Sequence, residues 1–197
     1  DHYIEVTATD KQGNYGFKTV EYRVNAIPTS LNLDLSSNSY DPGQGLGFLA
    51  SLFDQAHDEM NAGVNIYLLN TDDEVAESKT VRTGNYSSIN IPKQAEPGQW
   101  KLSADGFGLN DEVIFNVREY TKLDADLEGN DLIVSNEGNV PFKGLFEIQA
   151  NDLKKAKDIK IKAGESKKIE LNDLFPEGNY RIRVPSANKV FDNVKIN

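Results

Sequence analysis

The chain has 197 residues, long for one domain and comfortable for two, with 38% apolar and 26% charged residues and no cysteine. That balance excludes a disordered tail. No run approaches the roughly 18–20 consecutive apolar residues of a membrane span, and the lack of cysteine rules out disulfides and thiolate chemistry. The net charge of −10 is unevenly held: residues 27–119 carry fourteen acids against five bases, whereas residues 120–197 carry thirteen of each. An acidic middle opposes contact with phosphate, so nucleic acid and anionic membrane are not expected partners.

In chain order, the first elements are two alternating runs. Tyr3, Ile4, Val6 and Ala8 begin a strand, Asp10–Asn14 is a turn, and Phe17, Val20, Tyr22 and Val24 mark the returning strand. Residues 1–26 therefore read as the last two strands of a sandwich whose earlier strands are missing. Two strands alone are marginal in water, so they either pack on the next domain or belong to a neighbour cut short. The chain opens on Asp1 rather than Met, and is read as a fragment on which the absence of a targeting segment says nothing.

Residues 27–119 follow as a full sandwich entered through Ala26-Ile27-Pro28, with strands predicted near 30–35, 46–53, 64–70, 78–83, 87–91, 99–104 and 112–118. Residues 120–197 form a smaller one, with strands near 122–127, 131–136, 142–149, 158–162, 167–171, 179–184 and 190–196. Short strands punctuated by Gly, Pro, Asn and Asp predict an all-β fold of tandem immunoglobulin-like or fibronectin-III-like β-sandwiches. Asn151–Lys157 is the one stretch with room for a single turn of helix.

An internal repeat at an offset of 80 residues ties the two sandwiches together. Thr80–Leu102 set against Lys160–Ile182 without a gap aligns Val81 with Ile161, Gly84 with Gly164, and Ile89 and Ile91 with Ile169 and Leu171. It also aligns Gly98 with Gly178, Trp100 with Tyr180 and Leu102 with Ile182. Residues two apart share one face of a strand, and the Pro97-Gly98 and Pro176–Gly178 clusters reverse the chain. An aromatic opening the next strand then pins a sandwich corner.

The run Thr7-Ala-Thr-Asp10-Lys-Gln-Gly13-Asn14 ahead of an alternating strand resembles the end of a bacterial or archaeal immunoglobulin-like domain. Ser39-Tyr40-Asp41-Pro42-Gly43-Gln44, followed by an apolar strand and Asp54, resembles the opening of such domains in cell-surface and macroglobulin-like proteins. Val134-Ser-Asn136-Glu-Gly138-Asn139 is similar to small adhesion-associated sandwiches. The resemblance implies a surface stalk or adhesin segment, extracellular or on the cell surface. Its motifs are turn chemistry without catalytic residues. The absence of cysteine points the same way, towards a bacterial or archaeal surface protein.

Candidate sites are few. His2 and His57 are the only histidines; both sit in polar stretches and read as surface residues, and no nucleophile elbow is present. The chain is not expected to be an enzyme. Asp54, Asp58 and Glu59 are the candidate metal ligands, three carboxylates in six residues of loop with calcium as the cation. Asp72-Asp73-Glu74 reads as a turn. Asp124–Asp131 superficially matches a calcium loop, but Ser135 stands where a bidentate Glu is needed, and a hairpin turn at Glu128–Asp131 accounts for it. Asn85-Tyr86-Ser87 is a glycosylation sequon.

Seven lysines between 154 and 168 read as the wet face of two strands that also guards a sheet edge. The competing reading is a patch for an anionic polymer. Tyr40, Tyr86 and Phe107 are the aromatics available to a loop surface for a protein or glycan partner, Tyr40 and Phe107 being expected to pack locally. The leading expectation is a non-catalytic stalk or adhesion segment whose partners are its own neighbouring domains. The alternative is an accessory spacer or carbohydrate-binding or protein-binding module of a secreted hydrolase.

Overall fold

A computed structural model describes residues 2–197, and it is all-β. A hairpin leads: β1 (His2–Thr9) pairs antiparallel with β2 (Tyr15–Tyr22). The first sandwich comprises β3 (Pro28–Leu35), β4 (Ser39–Tyr40), β5 (Gly45–Asp54), β6 (Glu59–Met60), β7 (Gly63–Leu69), β8 (Val75–Arg82), β9 (Tyr86–Asn90), β10 (Gly98–Gly106) and β11 (Leu109–Val117). The second comprises β12 (Leu123–Glu128), β13 (Asp131–Asn136), β14 (Phe142–Ala150), β15 (Leu153–Ile161), β16 (Ser166–Glu170), β17 (Gly178–Val184) and β18 (Lys189–Ile196). Single 3-10 turns at Leu171–Asp173 and Pro185–Ala187 are the only helical pieces among the described residues.

The two sandwiches share one topology. In the second, β12-β13-β16 forms one sheet and β15-β14-β17-β18 the other. In the first, β5 joins β3, β6 and β9, and β4-β11-β10-β7-β8 faces them. Alternation builds each core: Leu46, Phe48, Ala50 and Leu52 point inward from β5, as Phe146, Ile148 and Ala150 do from β14. The buried apolar side chains form two separate clusters, one within residues 31–117 and one within 123–196. The eighty-residue repeat has a physical cause, since Val81 and Ile161, Ile89 and Ile169, and Ile91 and Leu171 all lie in these cores.

Three features depart from the sequence reading. Asn151–Lys157 makes no helical turn; β15 begins at Leu153, and Phe146 pairs with Lys157 across the ladder. Its polar, lysine-rich pattern conceals a strand because both faces of that stretch are exposed. The short strands β4 and β6 are too brief to leave a periodic trace. Finally, Phe107 does not pack locally: it sits 58% exposed at the tip of the β10–β11 hairpin, at φ 59°. Tyr40 is buried, edge-on to Phe115 at 5.5 Å, with its hydroxyl accepting from the Ser37 N–H at 3.0 Å.

The hairpin β1–β2 does not pack on the next sandwich; every residue of both strands is exposed. One edge of the second sandwich is protected by charge. Lys155 and Lys157 lie opposite Ile148 and Phe146, on the inward face of edge strand β15, before Ile159 and Ile161 take that face over. Strand β8 repeats the device with Glu77 and Lys79 opposite Leu68 and Ile66. Inward-pointing charge on an edge strand discourages another strand from adding to it.

Candidate functional site at the junction of the sandwiches

Two of the three candidate calcium ligands, Asp54 and Asp58, belong to a turn that occurs three times, and Glu59 opens β6. In the β5–β6 turn, Asp54 Oδ1 accepts from the Ala56 and Asp58 N–H groups at 2.8 and 3.0 Å. Asp54 N–H donates to Asp58 O, and His57 N–H to Asp54 O. Asp10 builds the same turn in the β1–β2 hairpin, accepting from Gln12 and Asn14 N–H, and Asn70 builds it between β7 and β8, accepting from Asp72 and Glu74 N–H.

Each turn places its fourth residue in the left-handed region, Gly13 at φ 86°, His57 at 67° and Asp73 at 62°. An uncharged amide serves as well as a carboxylate, so the side-chain oxygen is needed for its geometry. Among the described residues no group of three or more His, Cys, Asp or Glu is close enough to hold a metal. Glu128–Asp131 closes the β12–β13 hairpin, and Asn85 is exposed in the turn before β9.

The most elaborate polar construction lies where the two sandwiches meet. Asn136, 1% exposed, ends β13. Its amide donates to Val140 O and Ile161 O at 2.9 and 3.2 Å, and its Oδ1 accepts from the Gly138 N–H at 3.0 Å. This shapes the loop that carries Asn139, itself 4% exposed. Asn139 Nδ2 donates to Ala95 O at 2.8 Å and to Arg118 O at 2.9 Å, both in the first sandwich or its exit.

Asn139 Oδ1 accepts from the Tyr120 N–H at 2.7 Å, while its own N–H donates to Tyr120 O at 2.9 Å. One side chain thus binds the first sandwich, the connector and the second sandwich together. Gly138 lies so close to Tyr120 O that any side chain would overlap it, and Gly164, at φ 73°, lies against the Gln94 amide, which a side chain there would displace. Arg118 pairs with Asp41 at 2.7 Å and Lys122 with Glu137 on either side of the connector. The hydrogen bond from Arg118 holds the Asp41 carboxyl below the usual carboxylate range.

Beside this contact runs an open cleft of about 580 Å³, lined by residues including Lys93, Gln94, Tyr120, Lys122, Ser135 and Glu137. Its lining is polar where small-molecule pockets are mostly apolar, and its Lys122 and Glu137 neutralise each other. The arrangement is suited to fixing one sandwich on another. The sequence run Asn136–Asn139 stands out as turn chemistry, but nothing local reveals that Asn139 reaches Ala95, 44 residues away.

No family model matches the sequence, and no curated protein does. Among solved structures, the chain is similar to the trypsin-activated alpha-2-macroglobulin of Escherichia coli, with 12% identity over 89% of this chain and a TM-score of 0.41. It is similar to an alpha-2-macroglobulin of Salmonella, with 12% identity over 90% of this chain and a TM-score of 0.40. A DUF4785 family protein of Legionella pneumophila gives 11% identity over 81% of this chain and 53% of that one, with a TM-score of 0.34. The chain spans 16% and 17% of the two macroglobulin chains. No helix among the described residues is long and apolar enough to cross a membrane.

Proposed function

We propose that this chain is a non-catalytic spacer of tandem immunoglobulin-like sandwiches in an exported or cell-surface protein, which sets the position of whatever lies beyond it. Asn139 is the observation that carries this reading. Contacts between domains of one chain are ordinarily small and permit relative motion. Here a buried amide uses both donors and its acceptor across the joint, and leaving such groups unpaired costs about 1–3 kcal/mol each. Evolution of a hinge would favour an exposed, flexible connector instead.

The absence of cysteine makes the test direct, because Ser78→Cys and Asp152→Cys place one spin label on each sandwich at exposed positions. Pulsed dipolar spectroscopy on the doubly labelled chain is expected to give a single narrow distance distribution. Asn139→Ala broadens it without unfolding either sandwich. A broad distribution in the unsubstituted chain would refute the spacer reading.

A further inference from the structure

The leading hairpin is built like the hairpins that close the two sandwiches. In the first sandwich Gly98 pairs with Val117 and Trp100 with Phe115; in the second, Gly178 pairs with Ile196 and Tyr180 with Val194. In β1–β2, His2 pairs with Tyr22 and Ile4 with Val20 in the same register. The corresponding side chains differ in cover, and in Lys18, which stands opposite Val6 where Val113 stands opposite Leu102. Phe115, Val117, Val194 and Ile196 are at most 4% exposed, whereas Ile4, Val6, Val20 and Tyr22 are 43–57% exposed. The other face carries Glu5, Thr7, Thr9, Thr19 and Glu21 beside Tyr3, Tyr15 and Phe17, so Ile4, Val6, Val20 and Tyr22 lie together on the side that the two sandwiches turn inward.

An independent feature lies in the connector. Gln55 follows β5, as Asn139 follows β13, in the same loop of the shared topology. Gln55 Oε1 accepts from the Ile27 N–H at 2.7 Å and its Nε2 donates to Asn25 O at 3.1 Å. Asn139 clasps Tyr120 N–H and Arg118 O in the same way, one amide bridging an N–H and the carbonyl two residues before it. The difference is again cover: Asn139 is buried against Ala95 of the preceding sandwich, and Gln55 is exposed.

We propose that β1–β2 is the closing hairpin of a third sandwich of the same polypeptide, and that Gln55 is the clasp of its junction with the first sandwich. Residues N-terminal to His2 supply a three-stranded sheet equivalent to β12-β13-β16 that covers Ile4, Val6, Val20 and Tyr22. This stands apart from the spacer reading, since the stiffness of the joint between the two sandwiches does not change what covers the hairpin.

Hydrogen exchange tests it, comparing this chain with one lengthened by the residues its gene encodes upstream, roughly 100 for one sandwich. In the present chain the β1 and β2 amides exchange at the rate of an isolated hairpin, which is marginally stable. Lengthening slows them at least 100-fold. Val20→Glu in the lengthened chain abolishes that protection and leaves the melting of the two downstream sandwiches unchanged.

Unchanged exchange on lengthening, or no upstream coding sequence, overturns the proposal. So does concentration-dependent protection in the present chain that Val20→Glu removes, which assigns the face to a second copy. A Val20→Glu shift in the melting of the first sandwich also overturns it.

Discussion

Trp100 and Tyr180 stand eighty residues apart and perform the same act: each donates from its ring to the carbonyl four residues upstream. The indole Nε1 reaches Glu96 O at 2.8 Å, and the phenol OH reaches Pro176 O at 3.0 Å. Both bonds tie the turn before a strand to the strand's first aromatic. Trp100 is 3% exposed, whereas the Tyr180 bond faces solvent. Trp100→Phe is therefore expected to destabilise the first sandwich by about 2–4 kcal/mol, from lost packing and an unpaired carbonyl. Tyr180→Phe costs the second only ~0.5–1.5 kcal/mol. Denaturant unfolding followed by circular dichroism, on each variant, checks the ranking.

The recurrence of one turn at Asp10, Asp54 and Asn70 separates geometry from charge. Asp54→Asn keeps both bonds to Ala56 and Asp58 N–H and is expected to change stability by less than about 0.5 kcal/mol. Asp54→Ala removes them and costs about 1–3 kcal/mol. Calcium added to millimolar concentration leaves the melting temperature of all three proteins unchanged; a rise that Asp54→Asn abolishes would restore the cation site.

Lys155 and Lys157 keep the inward face of an edge strand charged. Replacing both by Val extends the apolar row of Ile159 and Ile161 towards the hairpin end of the strand. The double variant is expected to fold with an unchanged or higher melting temperature and to associate with rising concentration, seen by light scattering. Lys154→Ala with Lys160→Ala, on the outward face, leaves the chain monodisperse.

Acid sensitivity of the second sandwich is expected to involve Asp124. The hydrogen bond from Lys189, 2.9 Å away, holds its carboxyl below the ordinary range, and the same bond raises the lysine. A lowered carboxylate contributes stability above its unfolded value and loses it as pH falls through the folded one. A raised lysine contributes below its unfolded value and loses that contribution as pH rises through the folded one. The pair thus stabilises the neutral range and fades at both extremes, by a small amount because it is near the surface. Lys189→Met flattens the acid limb of the stability–pH curve, and pH-dependent denaturant titration reads the change.

The all-β class and most strand positions were legible because one face of each strand is buried and the other wet, as Leu46, Phe48 and Ala50 declare by simple alternation. The repeat was legible for the same reason. Strand β15 lost its alternation where Lys155 and Lys157 face inward without being buried, so pattern alone suggested something else. The carboxylates around Asp54 drew notice as a cluster because sequence records charge but not where a backbone N–H points. Asn139 and Gln55 were invisible as junction residues: each is an ordinary loop amide until the connector folds back beneath it.

The parallel pairing of β4 with β11 ties the second strand of the first sandwich to its last, with Asn116 N–H bonded to Asn38 O and Arg118 N–H to Tyr40 O. Tension applied along the polypeptide drags these two strands lengthwise past each other, so their hydrogen bonds are strained together rather than opened one by one. Among the described residues the second sandwich has no counterpart of β4: β12 and β18 lie in different sheets, as β3 and β11 do, with no short parallel strand added to β18. Pulled from its ends, the molecule is expected to lose the exposed β1–β2 hairpin at low force and then to yield beyond residue 120, with the acidic sandwich surviving as the tougher link.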